Sequence, residues 1–174
     1  MLTIEAVNEM EGDEFVRVFG SVIEHSPWVA ENISFKRPFS DRAELHQAMK
    51  KEVLAAPKTE WLQILRAHPE LSGQEAVEGK LTEASSKEQA RLGLDRLPPD
   101  EFVRMREFNI MYFRKFSFPC IIAVGLVPTR EALYEIQERR IGQSFQDEVS
   151  TALNQVFEIA KLRLESMIEE GKAS

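Results

Sequence analysis

Apolar residues in this chain recur with the period of a helix. Phe15, Val18, Phe19, Val22 and Ile23 sit at i, i+3, i+4, i+7 and i+8, which puts all five on one side of a helix. The same spacing returns in Leu45, Ala48, Met49 and Val53, in Trp61, Leu62 and Leu65, and in Phe102, Met105, Phe108, Tyr112, Phe113 and Phe116. It appears again in Leu133, Ile136 and Ile141, and in a last stripe of Val149, Leu153, Val156 and Ala160 that runs on to Met167. Amphipathic helices bury their stripes against one another. The predicted fold class is therefore all-α, a single compact domain of about eight helices over residues 1–174, with no internal repeat and no linker.

Punctuation residues set the expected boundaries. Asp13 opens the first helix and Ser26-Pro27-Trp28 breaks it, followed by a short apolar segment through Ile33. Asp41 and Glu44 match a capping box, and Thr59 is a candidate cap for the next helix. That helix should stop at Ala67-His68-Pro69, because a residue before proline is pushed out of the helical region. Residues 68–82, with Gly73 and Gly79, read as a loop of a length that is often functional. A helix over Ser85–Leu97 ends at Pro98-Pro99, Asp100 opens the Phe-rich helix, and Phe118-Pro119 closes it. Cys120–Val124 is long enough for a strand but has no strand to pair with, so it reads as a buried extended connection or brief helix. Thr129 caps the next helix, and the last runs from about Ser144 to Glu169.

Composition removes several classes of function. A net charge of −7 argues against nucleic-acid binding, which needs clustered Lys and Arg against phosphates. One cysteine excludes an internal disulfide, and three separated histidines offer no metal-ligand spacing. No apolar run approaches the roughly 20 residues of a membrane span. The first residues lack the pattern of a secretory signal, and Gly171-Lys-Ala-Ser174 is not a peroxisomal address, so a cytoplasmic location is expected.

Three residues carry candidate chemistry. Steps of about 3.5 residues along the last stripe land on Arg163, inside the apolar seam. A buried guanidinium needs a carboxylate, from a ligand or from the protein, and an internal salt bridge or a snorkelling side chain is the plainer alternative. His68 stands at a helix end beside a long loop, and an imidazole transfers protons near neutral pH, although a His-Pro pair is also an ordinary turn. Glu88 completes the capping box Ser85-Ser-Lys-Glu88, with Ser86 and Gln89 as a second register. The same geometry offers free N–H groups to a polar ligand. His25 and His46 fall on or next to amphipathic helices, Trp28 and Trp61 read as core, and Cys120 as a small buried hydrophobe.

Several segments, in order and spanning nearly the whole chain, carry a resemblance. They are Phe19-Gly-Ser-Val-Ile-Glu-His-Ser-Pro-Trp28, Arg37-Pro-Phe39, Leu65-Arg-Ala-His-Pro-Glu-Leu71 and Leu81-Thr-Glu-Ala-Ser-Ser-Lys-Glu-Gln89. Gly93-Leu94, Phe108-Asn through Tyr112, Lys115-Phe-Ser-Phe-Pro-Cys-Ile-Ile-Ala-Val124 and Ile159-Ala-Lys-Leu-Arg-Leu164 complete the set. Together they resemble the 2-oxo-4-hydroxy-4-carboxy-5-ureidoimidazoline (OHCU) decarboxylases. The resemblance implies an all-helical homodimer that converts a ureidoimidazoline to (S)-allantoin and CO2 in urate degradation, with no metal or organic cofactor. Carried onto matching positions, it implies catalytic roles for His68, Glu88 and Arg163. It implies ligand contacts at Pro69, Ser85, Ser86, Lys87, Gln89, Cys120, Ile121, Ile122, Ala123 and Val124. Two departures touch the pocket: Ala84 stands where the family commonly has an acid, and Cys120 where it usually has phenylalanine. The competing readings are a non-catalytic helical interaction module and a related enzyme acting on another ureido compound.

Overall fold

The computed structural model describes residues 1–170; the Gly171-Lys-Ala-Ser174 terminus lies outside them. Among the described residues there are ten α-helices, one 3₁₀ turn and no strand. The helices are α1 (Ile4–Glu9), α2 (Gly12–Phe19), α3 (Trp28–Ser34), α4 (Arg42–Ala55), α5 (Lys58–Ala67), α6 (Gln74–Val77), α7 (Glu83–Arg91), α8 (Pro99–Phe116), α9 (Arg130–Ile141) and α10 (Phe145–Met167). No helix among the described residues is long and apolar enough to cross a membrane. The chain forms two compact units, one of Met1–Ala67 with the segment from Phe157 onward, the other of His68–Val156.

In the first unit α2 packs on α3, α3 on α4, and α4 on α5. Phe15, Phe19, Leu45, Met49, Val53 and Leu65 are buried there, on the faces their spacing indicated, and Ile33 is buried with them. Asp41 caps α4 as expected, accepting from the Glu44 N–H at 2.7 Å, while Glu44 folds back onto the Ser40 N–H at 2.6 Å. The Arg37-Pro-Phe39 motif is tied down by Asn8, which donates to the Phe39 carbonyl and accepts from its N–H, both at 2.8 Å. In the second unit α8 packs on α9, and Tyr112, Phe116 and Phe118 form an aromatic cluster with centroids 4.6–6.1 Å apart.

Several boundaries differ from expectation for local reasons. The count exceeds eight because α1 and the single-turn α6 are short segments with too few apolar positions to show a period. The residues after Pro27 form a full helix, α3. Thr59 lies inside α5, whose first turn hangs on the Pro57 carbonyl, so it is not the cap. Trp28 and Trp61 are only partly buried; the Trp61 indole N–H reaches the Val53 carbonyl at 2.7 Å, which keeps that edge near the surface. Pro99, with no N–H to lose, is the first residue of α8.

Candidate active site

Helix α7 gathers the candidate residues of the second unit. Its cap is Thr82, whose hydroxyl accepts from the Ser85 N–H at 3.2 Å, so neither expected box, Ser85 with Glu88 or Ser86 with Gln89, forms. Glu88 therefore takes no part in capping the start of α7. The helix ends at Arg91, short of Leu97, because Gly93 takes a left-handed turn with φ +67°. Positions 85 and 89 share the buried face, with Glu88 half-buried beside them. Ser86 and Lys87 point outward, and Lys87 pairs with Glu83 at 2.6 Å.

His68 is buried and directly follows the last residue of α5, where the following proline predicted the helix would stop. The loop after it is fixed by side chains from two helices. Gln89 accepts from the Ser72 N–H at 2.8 Å and donates to the Glu70 carbonyl at 3.2 Å. Asn109 on α8 donates to the Leu71 carbonyl at 3.0 Å, and the Ser72 hydroxyl donates to the Leu94 carbonyl at 2.5 Å. Ser72 is held at φ +49°, a left-handed conformation that costs a non-glycine residue roughly 1–2 kcal/mol and needs such anchoring. Both ends of the Gln89 amide thus serve the backbone on either side of Leu71. Glu70 lines a cleft of about 530 Å3 beside this loop, and burial, then Glu75, pushes its carboxyl above the usual range.

Cys120–Val124 is a buried extended connection leading into the 3₁₀ turn Val124–Leu126, as its length and lack of partners suggested. Buried backbone groups must be paired, and with no strand alongside, side chains do it. Arg91 donates to the carbonyls of Val124 at 2.7 Å and Gly125 at 2.6 Å, and Gln155 accepts from the Ala123 N–H at 2.9 Å. Arg140 donates to the Ile121 carbonyl and pairs with Glu148, its Nε lying 2.8 Å from Oε1, while the Tyr112 hydroxyl donates to the same oxygen. Arg140 and Glu148 are 2% and 0% exposed, so this pair is fully desolvated. None of Arg91, Arg140, Glu148 or Gln155 stood out in the sequence. The signal was present for Glu148, which lies one helical step before Ala152 and two before Val156, the latter on the stripe that exposed Arg163.

Burial pushes the Cys120 thiol up to about 12, against the pull of nearby Arg140. Native protein at pH 8 should therefore resist iodoacetamide and react only once unfolded; rapid native alkylation would refute the inert reading. The raised pKa also means that between about pH 9 and 12 the unfolded chain releases a proton the folded chain retains. This thiol accordingly makes stability fall as pH rises through that window.

Arg163, in the first unit, is buried as the stripe required. Its Nη1 lies 2.6 Å from Glu24 Oε2 and donates to the Ser21 carbonyl at 3.1 Å. The carboxylate a buried guanidinium needs is therefore supplied, in part, by the protein. Nothing local in the sequence marked Glu24, 1% exposed, as that partner.

In the second unit, then, one helix connects a buried imidazole's loop, a half-buried carboxylate and a rigid row of backbone carbonyls and N–H groups. That set suits proton transfer on a small polar molecule held flat against fixed hydrogen-bonding groups. No group of three or more His, Cys, Asp or Glu side chains converges to hold a metal among the described residues.

Comparison with known proteins gives these residues a context. The sequence model of the OHCU decarboxylase family matches residues 8–165. A protein of Haloferax volcanii named 2-oxo-4-hydroxy-4-carboxy-5-ureidoimidazoline decarboxylase is 41% identical, over 94% of this chain and 94% of its own. One of the same name from Bos taurus is 37% identical over 97% of this chain and 99% of its own. A crystal structure of (S)-allantoin synthase superposes with a TM-score of 0.73 at 28% identity, covering 97% of this chain but 54% of that one. Fold, ordered motifs and likeness across nearly the full length agree: the chain belongs to the OHCU decarboxylase family.

Proposed function

We propose that this protein decarboxylates 2-oxo-4-hydroxy-4-carboxy-5-ureidoimidazoline to (S)-allantoin and CO2, as one step of urate degradation. The observation that carries this reading is the family match over residues 8–165, which runs through both compact units and supports treating them as one functional domain.

The substrate bears its carboxylate on a ring carbon next to a C=N bond. When the bond to CO2 breaks, its electron pair moves toward the imine nitrogen, so no external electron sink is needed. The imine nitrogen takes up a proton from solvent, so that one proton is consumed for each CO2 released. The ring hydroxyl then loses its own proton to become a carbonyl, and the former imine carbon gains one. Delivery of that proton from one face fixes the (S) hand.

His68, steadied by Glu88, carries the proton, and Arg163 anchors a substrate carboxylate or oxygen. Ser85 and the backbone of Cys120–Val124 hold the ureido and ring polar atoms, and Pro69 shapes the wall next to His68. Gln89 acts through the loop it staples, while Ser86 and Lys87 can contribute only from the outer side of α7. Support comes from the burial of His68, Ser85 and Arg163, and Glu88 takes no part in capping α7. The same reading has the protein working in the cytoplasm, without a cofactor, as a homodimer.

The test uses substrate generated freshly from urate, followed by circular dichroism in an allantoin band together with CO2 release. Rapid formation of one allantoin enantiomer with stoichiometric CO2 is expected. A slow racemic background unchanged by the protein would overturn the assignment, and carboxylate-retaining product would point to a hydrolase.

A further inference from the structure

Arg91, the last residue of α7, directs its guanidinium away from its own helix. A basic residue in a last turn ordinarily complements the final carbonyls of the helix that carries it. Here Nη1 donates to the carbonyls of Val124 at 2.7 Å and Gly125 at 2.6 Å, and approaches that of Val127 at 3.4 Å. They belong to the 3₁₀ turn Val124–Leu126 and the residue after it, and so short a turn leaves carbonyls without backbone partners. Among the described residues Arg91 pairs with no carboxylate, so no acid competes for the guanidinium.

This tie joins the two segments that the proposed reaction uses to hold its substrate. Helix α7 carries Ser85 and Glu88 and packs directly on the 3₁₀ turn. At 1.5 Å of rise per residue, Glu88 stands about 4.5 Å and Ser85 about 9 Å along the axis from Arg91. The Cys120–Val124 run leads straight into the turn that Arg91 holds. Its other supports belong to different helices. Arg140 on α9 holds the Ile121 carbonyl, and Gln155 on α10 accepts from the Ala123 N–H at 2.9 Å. Those bonds fix the run against α9 and α10, whereas Arg91 fixes it against α7. A planar guanidinium shared by neighbouring carbonyls sets direction as well as distance, which an ammonium on a flexible stem does not. Displacing groups that orient a reacting molecule by about 1 Å can cost about 10²-fold in rate.

We infer that Arg91 is a positioning residue for the decarboxylation. It sets the spacing between the α7 side chains and the Cys120–Val124 backbone, and through that spacing the orientation of the substrate, without touching it. This rests on the decarboxylase reading and on the ligand contacts given above to Ser85 and Cys120–Val124.

The experiment compares the full chain with Arg91→Ala and Arg91→Lys, each checked by its helical spectrum and melt. Two readouts are taken together: steady-state kinetics with enantiomeric purity of the allantoin, and hydrogen exchange of the amides in 120–127. In Arg91→Ala, kcat/KM should fall roughly tenfold to a hundredfold, mainly through a raised KM, and the product should lose enantiomeric purity. Exchange in 120–127 should speed up while exchange in α9 and α10 stays as in wild type. Arg91→Lys, which keeps the charge and loses the planar fork, should fall between the two. A merely structural role would lower the melt and the active fraction and leave KM and purity at their wild-type values, and that result would overturn the inference. So would faster exchange with unchanged kinetics, or altered kinetics with unchanged exchange. If Arg91→Ala does not fold, Arg91→Lys decides by the same criteria. A wild type that leaves the spontaneous reaction unchanged would overturn the decarboxylase reading itself, and this inference with it.

Discussion

His68→Ala is expected to lose nearly all enzymatic production of a single allantoin enantiomer while keeping its fold. A positioned general acid or base contributes about 10²- to 10⁴-fold, so the residual rate should approach the spontaneous decay of the substrate. Handedness is the sharper readout. If His68 delivers the proton that fixes the (S) configuration, whatever allantoin the variant releases should drift toward racemic even when total conversion looks normal. The fold should survive because His68 lies beyond the end of α5, and the loop following it is anchored by Gln89, Asn109 and Ser72. Retention of fast, fully (S)-selective turnover would remove His68 from the mechanism. His68→Asn, which keeps a polar group of smaller size, separates loss of the proton carrier from loss of packing.

The largest effect on stability should come from Arg140→Met. Arg140 is fully enclosed, pairs with Glu148, and also holds the Ile121 carbonyl. Removing the guanidinium leaves a buried carboxylate with only the Tyr112 hydroxyl, and breaking such a pair from one side costs about 3–5 kcal/mol. For a chain of this size that is a fall in Tm of roughly 6–20 °C. Replacing both partners, Arg140→Met with Glu148→Leu, removes the orphaned charge and should recover part of the loss, since a desolvated pair contributes little over apolar side chains of similar volume. A double variant less stable than either single one would mean that the hydrogen bond to Ile121 and the shape of the site outweigh the charge. Turnover should stay low in the double variant in either case, because the Cys120–Val124 backbone has lost one of its anchors.

Most helices were legible because an amphipathic helix writes its burial into its own spacing. The stripes of α4 and α10 point inward at the positions the period indicates, α8 does so except at Phe113, which is 47% exposed, and α2 does so through Phe19, where it ends before Val22 and Ile23; Arg163 is buried because it shares that period with Val156 and Ala160. Pro69 likewise located the end of α5 through a clash with its immediate neighbour. The caps were harder. Thr82, Ser85 and Ser86 are all competent N-caps, and local chemistry alone does not rank them. The register was decided by which face of α7 had to be buried, and this placed Ser85 and Gln89 inward, left Lys87 in solvent, and kept Glu88 out of the cap.

The family itself was readable from ordered motifs, since each motif is a local string. Its polar supports were not. Glu24 and Arg163 meet across most of the chain length, and Arg91, Arg140 and Gln155 reach a segment far from them in sequence. Such partners are chosen by the need to satisfy buried charge and buried backbone, a condition that exists only once the chain is folded. By itself the sequence determined that this protein is helical, where its apolar faces lie and which family it resembles, because periodicity and motifs are local. Only the tertiary structure decided what each buried polar group pairs with, because desolvation, which forces every such pairing, is a property of the fold.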